Sequence, residues 1–312
     1  MLTPRPPLVH YKTLISDSSR WERFELRASD IVISTPAKCG TTWTQMMCAL
    51  LVFQTPELEH PLDSYSPWLD MLTRSDEEVF GILDAQRHRR FIKTHTPLDG
   101  LPIEPGVTYL SVGRDPRDVA LSMVNHHSNM IFEKLIEARM HAVGLDDVAD
   151  LLAEELAPDP ASEIETVQQW IDNPAPVTES GSCLRLLVHH LGTFWPDRDD
   201  PHVHLMHYDD LQEDLGASLR RLADVVGIEV VESHWPALVE AATFASMKSR
   251  AAHLVPDSSH GLWRDPDDFF RHGVSGMWRT LLDHETQAHY RDAIDALAAP
   301  DLIAWLHHGQ LD

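Results

Sequence analysis

Four apolar, β-branched runs punctuate the chain: DIVIST at 30–35, FIKTH at 91–95, VTYLSVGR at 107–114 and VHLMHY at 203–208. Each reads as a buried strand. Helix-period segments follow several of them, TTWTQMMCALLVF at 41–53, PRDVALSMVNHH at 116–127 and LGASLRRLADVVG at 215–227, the last closing on Gly227 as a helix C-terminus does. Hydrophobic strands alternating with helices predict an α/β fold, a central parallel sheet flanked by helices on both faces. Ligands of such sheets bind beyond the carboxyl ends of the strands, so the loops that leave these runs are the places to read for function.

The 312 residues, 43% hydrophobic and 24% charged, supply enough apolar material for one large core, and the chain is read as a single domain over 1–312. Its 25 Lys and Arg against 49 Asp and Glu give a formal charge of −24, which excludes a broad electrostatic grip on nucleic acid or an anionic membrane. An anionic ligand would need a locally built site. Cys39, Cys48 and Cys183 are odd in number and lack metal-ligand spacing, which suits a reducing compartment. The apolar run from Met46 to Phe53 is too short to span a bilayer. A cytoplasmic protein is expected.

The first loop, STPAKCGTTW at 34–43, joins a strand to a helix and so offers unpaired backbone N–H groups and the positive end of a helix dipole. Gly40 permits close backbone approach, Thr41 and Thr42 can cap the helix, and Lys38 adds a charge. A Walker A loop needs an earlier glycine and a lysine after the second one, so an NTPase or P-loop kinase is disfavoured. Cys39 beside Lys38 at a helix start is a rival nucleophile, although cysteine phosphatases need an arginine six residues on and this chain has Gln45.

The second loop, YLSVGRDPRDVALSMVNH, opens a helix with Asp115 as N-cap, Pro116 at the first helical position and Asp118 placed to close a capping box. Between the two loops, RFIKTHTPLDGLP leaves Lys93 and His95 at the end of a strand. A histidine there suits general-base work because its pKa lies near neutrality.

Together these strings resemble the cytosolic sulfotransferases that use 3′-phosphoadenosine-5′-phosphosulfate (PAPS) as donor and release 3′,5′-adenosine bisphosphate (PAP). TPAKCGTTW is similar to the family's 5′-phosphosulfate loop T-Y-P-K-S-G-T-T-W, with Ala37 inserted and Cys39 in the serine's place. KTHTPL resembles K-T-H-x-P-L, and Arg114 with Ser122 eight residues on resembles the 3′-phosphate site. The resemblance implies a P-loop-like nucleotide-binding fold and sulfuryl transfer to a hydroxyl or amine of a small molecule. It assigns His95 as general base and Lys38 and Lys93 to the transferring group and leaving phosphate, with no metal required. Cys39, Gly40, Thr41 and Thr42 join Lys38 in the donor loop, and Trp43 would stack on the adenine.

Further on, MHYDDL places Tyr208 near the adenine and ATFASMK places Thr243 and Phe244 near the nucleotide, with Ala242 at the family's threonine position. FFRHGVSGMWR carries Arg271, His272 and Gly273 to the 3′-phosphate, with His272 replacing a lysine and Met277 an aspartate. A catalytically inactive PAP- or PAPS-binding protein is the alternative reading, disfavoured because a binding module needs no base. From Met140 to Leu184 there are ten acidic residues and no Lys or Arg, either a solvated helical face or an acidic lid within 129–182 that shapes the acceptor side. The family's C-terminal dimerisation pattern is absent, so oligomeric state stays open.

Overall fold

The computed structural model describes residues 2–144, 162–256, 260–270 and 273–309. Its sheet has four parallel strands, β1 (Ile31–Ser34), β2 (Phe91–Thr94), β3 (Thr108–Gly113) and β4 (Val203–His207), in the order β2-β1-β3-β4. The chain leaves β1 toward β2 on one side and leaves β3 toward β4 on the other. The carboxyl ends of β1 and β3 therefore flank a topological switch point, the natural ligand crevice of an open parallel sheet. Every residue of β1, β2 and β3 is buried, as strands covered on both faces require.

The principal helices are α1 (Thr41–Phe53), α2 (Asp76–Ala85), α3 (Pro116–Asn129), α4 (Phe132–Val143), α5 (Glu163–Asp172) and α6 (Leu184–Phe194). They are followed by α7 (Tyr208–Glu213), α8 (Leu215–Val226), α9 (Trp235–Ala242), α10 (Phe244–Lys248), α11 (His284–Asp295) and α12 (Pro300–His308). Period-two alternation along β1 sends Ile31 and Ile33 into one core with α1, α8 and α9, and Val32 into another with Trp21, Phe24 and α2. A third core joins α3, α5, α6, α11 and α12. α1 runs through the interior, with eleven of its thirteen residues buried. That explains a segment hydrophobic almost all round.

At the amino ends of β1 and β2, Arg90 and Asp30 are nearly without solvent exposure and form a bidentate pair, with Nε donating to Oδ1 at 2.9 Å. Losing one partner would strand a buried charge, so the pair locks β1 to β2 at the end remote from the crevice. Outside β2, Leu69 N donates to Lys93 O (3.1 Å) and Lys93 N to Pro67 O (3.2 Å), so the 67–69 segment runs along its edge. Among the described residues no helix is long and apolar enough to cross a membrane.

The described part of the acidic segment behaves as a solvated helical face. α5 buries Val167, Trp170 and Ile171 against α3 and α11 while Glu163, Glu165 and Asp172 are exposed. Asp146, Asp147, Asp150, Glu154, Glu155 and Asp159 lie outside the described residues.

Candidate active site

The loop after β1 takes the left-handed region twice, at Lys38 (φ 64°) and Gly40 (φ 100°). A β-carbon on Gly40 would stand 3.2 Å from Tyr208 Cδ2, so glycine answers both the conformation and the close approach. Gly40 is itself the N-cap of α1 and no side chain caps the helix. This corrects the expected capping by Thr41 and Thr42: the Thr41 hydroxyl is 2.6 Å from Thr35 Oγ1, strapping the loop's two ends together, and Thr42 is buried in the first turn. The backbone N–H groups of the first turn are therefore left to a ligand, in a form suited to an anion. Cys39 is fully buried, and burial pushes its thiol up to about 12, the wrong direction for a nucleophile.

Arg114 leaves the end of β3 and donates from Nη1 to Lys38 O (3.0 Å) and from Nη2 to Val274 O (3.4 Å), while its guanidinium lies 4.1 Å over the Tyr208 ring. Its Nε is buried without a partner among the described residues. An orphaned donor on a buried guanidinium is costly unless an acceptor arrives, and a phosphate oxygen would satisfy it. Tyr208 in turn meets Trp43 edge-on at 5.4 Å, and Trp43 Nε1 donates to Ala242 O (2.9 Å). Thr243 caps α10 by accepting from Ser246 N, and Phe244 packs against Gly273, where a β-carbon would lie 2.4 Å from its ring. Five residues far apart in sequence, Trp43, Arg114, Tyr208, Phe244 and Gly273, thus form one continuous wall.

Asp115 caps α3 as expected, accepting from Arg117 N (3.0 Å). Asp118 does not close a capping box; its carboxylate accepts from Gly276 N (2.7 Å) and pins the 273–276 turn to α3. Asp118, Ser122 and His126 follow at four-residue spacing and so share one face of that helix, with Ser122 partly exposed. Arg271 and His272 lie outside the described residues.

On the other side of the first loop, the Lys38 ammonium is 3.5 Å from His126 Nδ1 and 4.4 Å over the Phe269 ring. Burial, with Arg114 and Lys93 adding repulsion, pushes Lys38 down to about 7. Lys93 Nζ lies 4.4 Å over the Trp68 ring, which meets His95 edge-on at 4.5 Å. His95 Nδ1 is 2.6 Å from Thr35 O. A carbonyl has no proton to give, so Nδ1 carries the hydrogen and the lone pair stays on Nε2. Burial and the neighbouring Lys93 ammonium push His95 down to about 3, keeping the ring neutral.

Sequence reasoning missed the residues that hold this base. Asp70 is fully buried and accepts from Thr94 Oγ1 (2.8 Å) and Thr96 Oγ1 (2.5 Å), the hydroxyls on either side of His95. Ser34 Oγ donates to Thr96 O (2.6 Å) and is 3.1 Å from His190 Nε2. A cavity of about 280 Å³ lined by Pro36, Ala37, His95, Leu187 and His190 opens on this side. A second, of about 410 Å³, adjoins Lys93 and Trp68. The one available signal was VHH at 188–190, indistinguishable by itself from a core helix.

Residues 28–301 match the family described as the sulfotransferase domain. A glycolipid sulfotransferase of Mycobacterium bovis (strain BCG / Pasteur 1173P2) is 42% identical over 98% of this chain and 96% of its own length. Sulfotransferase 1E1 of Cavia porcellus is 24% identical over 90% of this chain and 88% of its own. Among solved structures, retinol dehydratase in complex with retinol and PAP superposes with a TM-score of 0.68 at 21% identity, covering 89% of this chain and 84% of that one. Mouse sulfotransferase SULT7A1 complexed with PAP gives 0.66 at 19%, covering 93% and 94%.

Proposed function

The chain belongs to the sulfotransferase domain family and is a PAPS-dependent sulfotransferase acting on a hydroxyl acceptor, and from that premise we propose that His95 is its general base. The observation that carries this is the 2.6 Å bond from His95 Nδ1 to Thr35 O, which leaves Nε2 unprotonated. Nε2 would take the acceptor's hydroxyl proton as the new S–O bond forms and the sulfur's bond to the donor's 5′-phosphate oxygen breaks, with that electron pair leaving on PAP. Asp70, through Thr94 and Thr96, and His190, through Ser34, hold the strand ends that carry His95. They act as positioning residues.

The donor supplies the activated sulfuryl group. Lys38, Lys93 and the uncapped start of α1, with Cys39, Gly40, Thr41 and Thr42 contributing loop backbone or hydroxyls, would hold its charged end and stabilise charge on the leaving phosphate. Arg114 and Ser122, with Gly273 and, by the family resemblance, Arg271 and His272, would hold the 3′-phosphate. Trp43, Tyr208, Thr243 and Phe244 would enclose the base. The orphaned Arg114 Nε supports that fit. This reading calls on no metal.

For the acceptor, likeness to a glycolipid sulfotransferase supports a hydroxyl on a sugar-bearing lipid. The formal charge of −24 favours a neutral headgroup over a polyanionic one. Three buried, free cysteines suit a reducing compartment, which supports a cytoplasmic reaction. The 28–301 match supports a single domain. The test is transfer of radiolabelled sulfate from PAPS to a panel of neutral glycolipids, alcohols, phenols and amines. His95→Ala should cut turnover about 10²–10⁴-fold while PAP affinity stays unchanged. Full turnover in that variant would remove His95 from the mechanism.

A further inference from the structure

We propose that the 410 Å³ cavity beside Lys93 is a monosaccharide subsite, in which the Asp63–Arg74 pair reads adjacent ring hydroxyls and Trp68 forms the wall toward His95. The inference rests on the reading of a sugar-bearing acceptor and adds where the ring sits and which side chains recognise it.

What distinguishes the cavity is the ion pair in its lining. Arg74 Nη2 meets Asp63 Oδ2 at 2.8 Å, with side chains only 12% and 16% exposed, and Gln45 Nε2 donates to Ser66 O (2.8 Å) and Ser66 Oγ (3.0 Å) in the same wall. A slot for a planar phenol or sterol has no use for a nearly dry ion pair. A pyranose does, because each ring hydroxyl both donates and accepts, and the Asp63 carboxylate beside the Arg74 guanidinium, which also faces Glu78 at 3.7 Å, sets an acceptor next to a donor at the spacing of neighbouring hydroxyls. The pair is already ordered and largely desolvated, so little must be reorganised when a ring replaces water.

The placement suits the reaction. Trp68 and Lys93 line the cavity, and the same Trp68 ring touches His95, so one side chain separates the cavity from the base. The edge hydrogen bonds between 67–69 and Lys93 fix that wall to β2. The cavity that His95 itself lines, with Pro36, Ala37, Ser182 and His190, has no carboxylate or guanidinium among its described lining residues.

The test uses octyl β-glucopyranoside, below its micelle-forming concentration, and n-octanol as probes of the PAP-bound protein, with binding read by saturation-transfer NMR and titration. Asp63→Asn and Arg74→Lys keep the size of each side chain but change the charge or the fork. Each should weaken octyl glucoside about tenfold or more while leaving octanol and PAP binding unchanged. Unchanged PAP affinity certifies the fold of each variant. No glucoside binding by the wild type, no effect of either variant, or equal weakening of glucoside and octanol would overturn the subsite. If the variants behave as expected but radiolabelled sulfate from PAPS reaches no acceptor, the subsite stands and the reading of the acceptor fails. If sulfate is transferred while the variants treat both probes alike, the subsite alone falls.

Discussion

Lys38 occupies a position in which its charge is held off until a ligand arrives. Its ammonium faces Arg114, Lys93 and His126, and burial lowers it to about 7. An unfolded lysine keeps its proton to far higher pH, so between about 7 and the ordinary lysine value the free folded protein binds fewer protons than the unfolded chain. Stability from this group therefore rises with pH across that window. Donor binding reverses the preference, because a phosphate beside the ammonium favours the charged form. PAP binding above about pH 7 must then take up a proton, and affinity should fall with rising pH by up to about tenfold per unit. Calorimetric titration across pH checks this, and Lys38→Arg, always charged, should flatten the slope. His95 is pushed in the same direction by the same causes. Held down to about 3, it is neutral throughout that range but lies well below the near-neutral value expected of a histidine base, because burial and the Lys93 ammonium oppose its protonated form, and ¹⁵N NMR of the free protein should show the Nδ1–H tautomer with no protonation near pH 6.5.

Elements carry the donor's second anchor. The 273–276 turn reaches α3 through Gly276 N and Asp118, and α7 through bonds from Gln212 to Gly273 O and from Ser275 to Asp209. Asp118→Ala removes the first tether and leaves a buried N–H unpaired, at a cost of about 1–3 kcal/mol to the turn. The expected outcome is weaker PAP binding with AMP binding nearly unchanged, because on the proposed reading the turn would hold the 3′-phosphate. Equal loss of both nucleotides in a titration would show that Asp118 merely supports the fold. The element scale is also where sequence patterns were most legible. The runs at 30–35, 91–95, 107–114 and 203–208 match β1 to β4 within a residue or two, and α1 matches over 41–53. The capping box was misread because Asp at the third helical position is common to caps and to tertiary anchors alike, and only the arrival of Gly276, 158 residues away, decides between them.

At the scale of the whole molecule, a chain of formal charge −24 would, on the proposed reading, hold a polyanionic nucleotide through Lys38, Lys93 and Arg114, which face one another beyond the carboxyl ends of the strands. Repulsion from the rest of the surface makes the local contacts decisive. PAP at a hundred times its dissociation constant should stabilise the folded state by about 2.7 kcal/mol, a rise of several degrees in Tm. ATP lacks the 3′-phosphate and should shift Tm much less at equal concentration. Equal shifts in a thermal-shift titration would contradict the assignment of Arg114.

The sequence by itself determined the sheet, its covered faces, the two loops at the strand ends, and Lys38, Lys93, His95 and Arg114 as their candidate functional residues. These follow from short-range signals, hydrophobic period and glycine placement, which act within a few residues. The tertiary structure decided what those residues can do. His95 has a defined lone pair because a carbonyl sixty residues away accepts its Nδ1 hydrogen. Asp70 buttresses it by folding back along β2, and Trp68 divides His95 from the cavity beside Lys93 by the same return of the chain. Hydrogen-bond direction and desolvation depend on which distant segments meet, and no local pattern encodes that meeting.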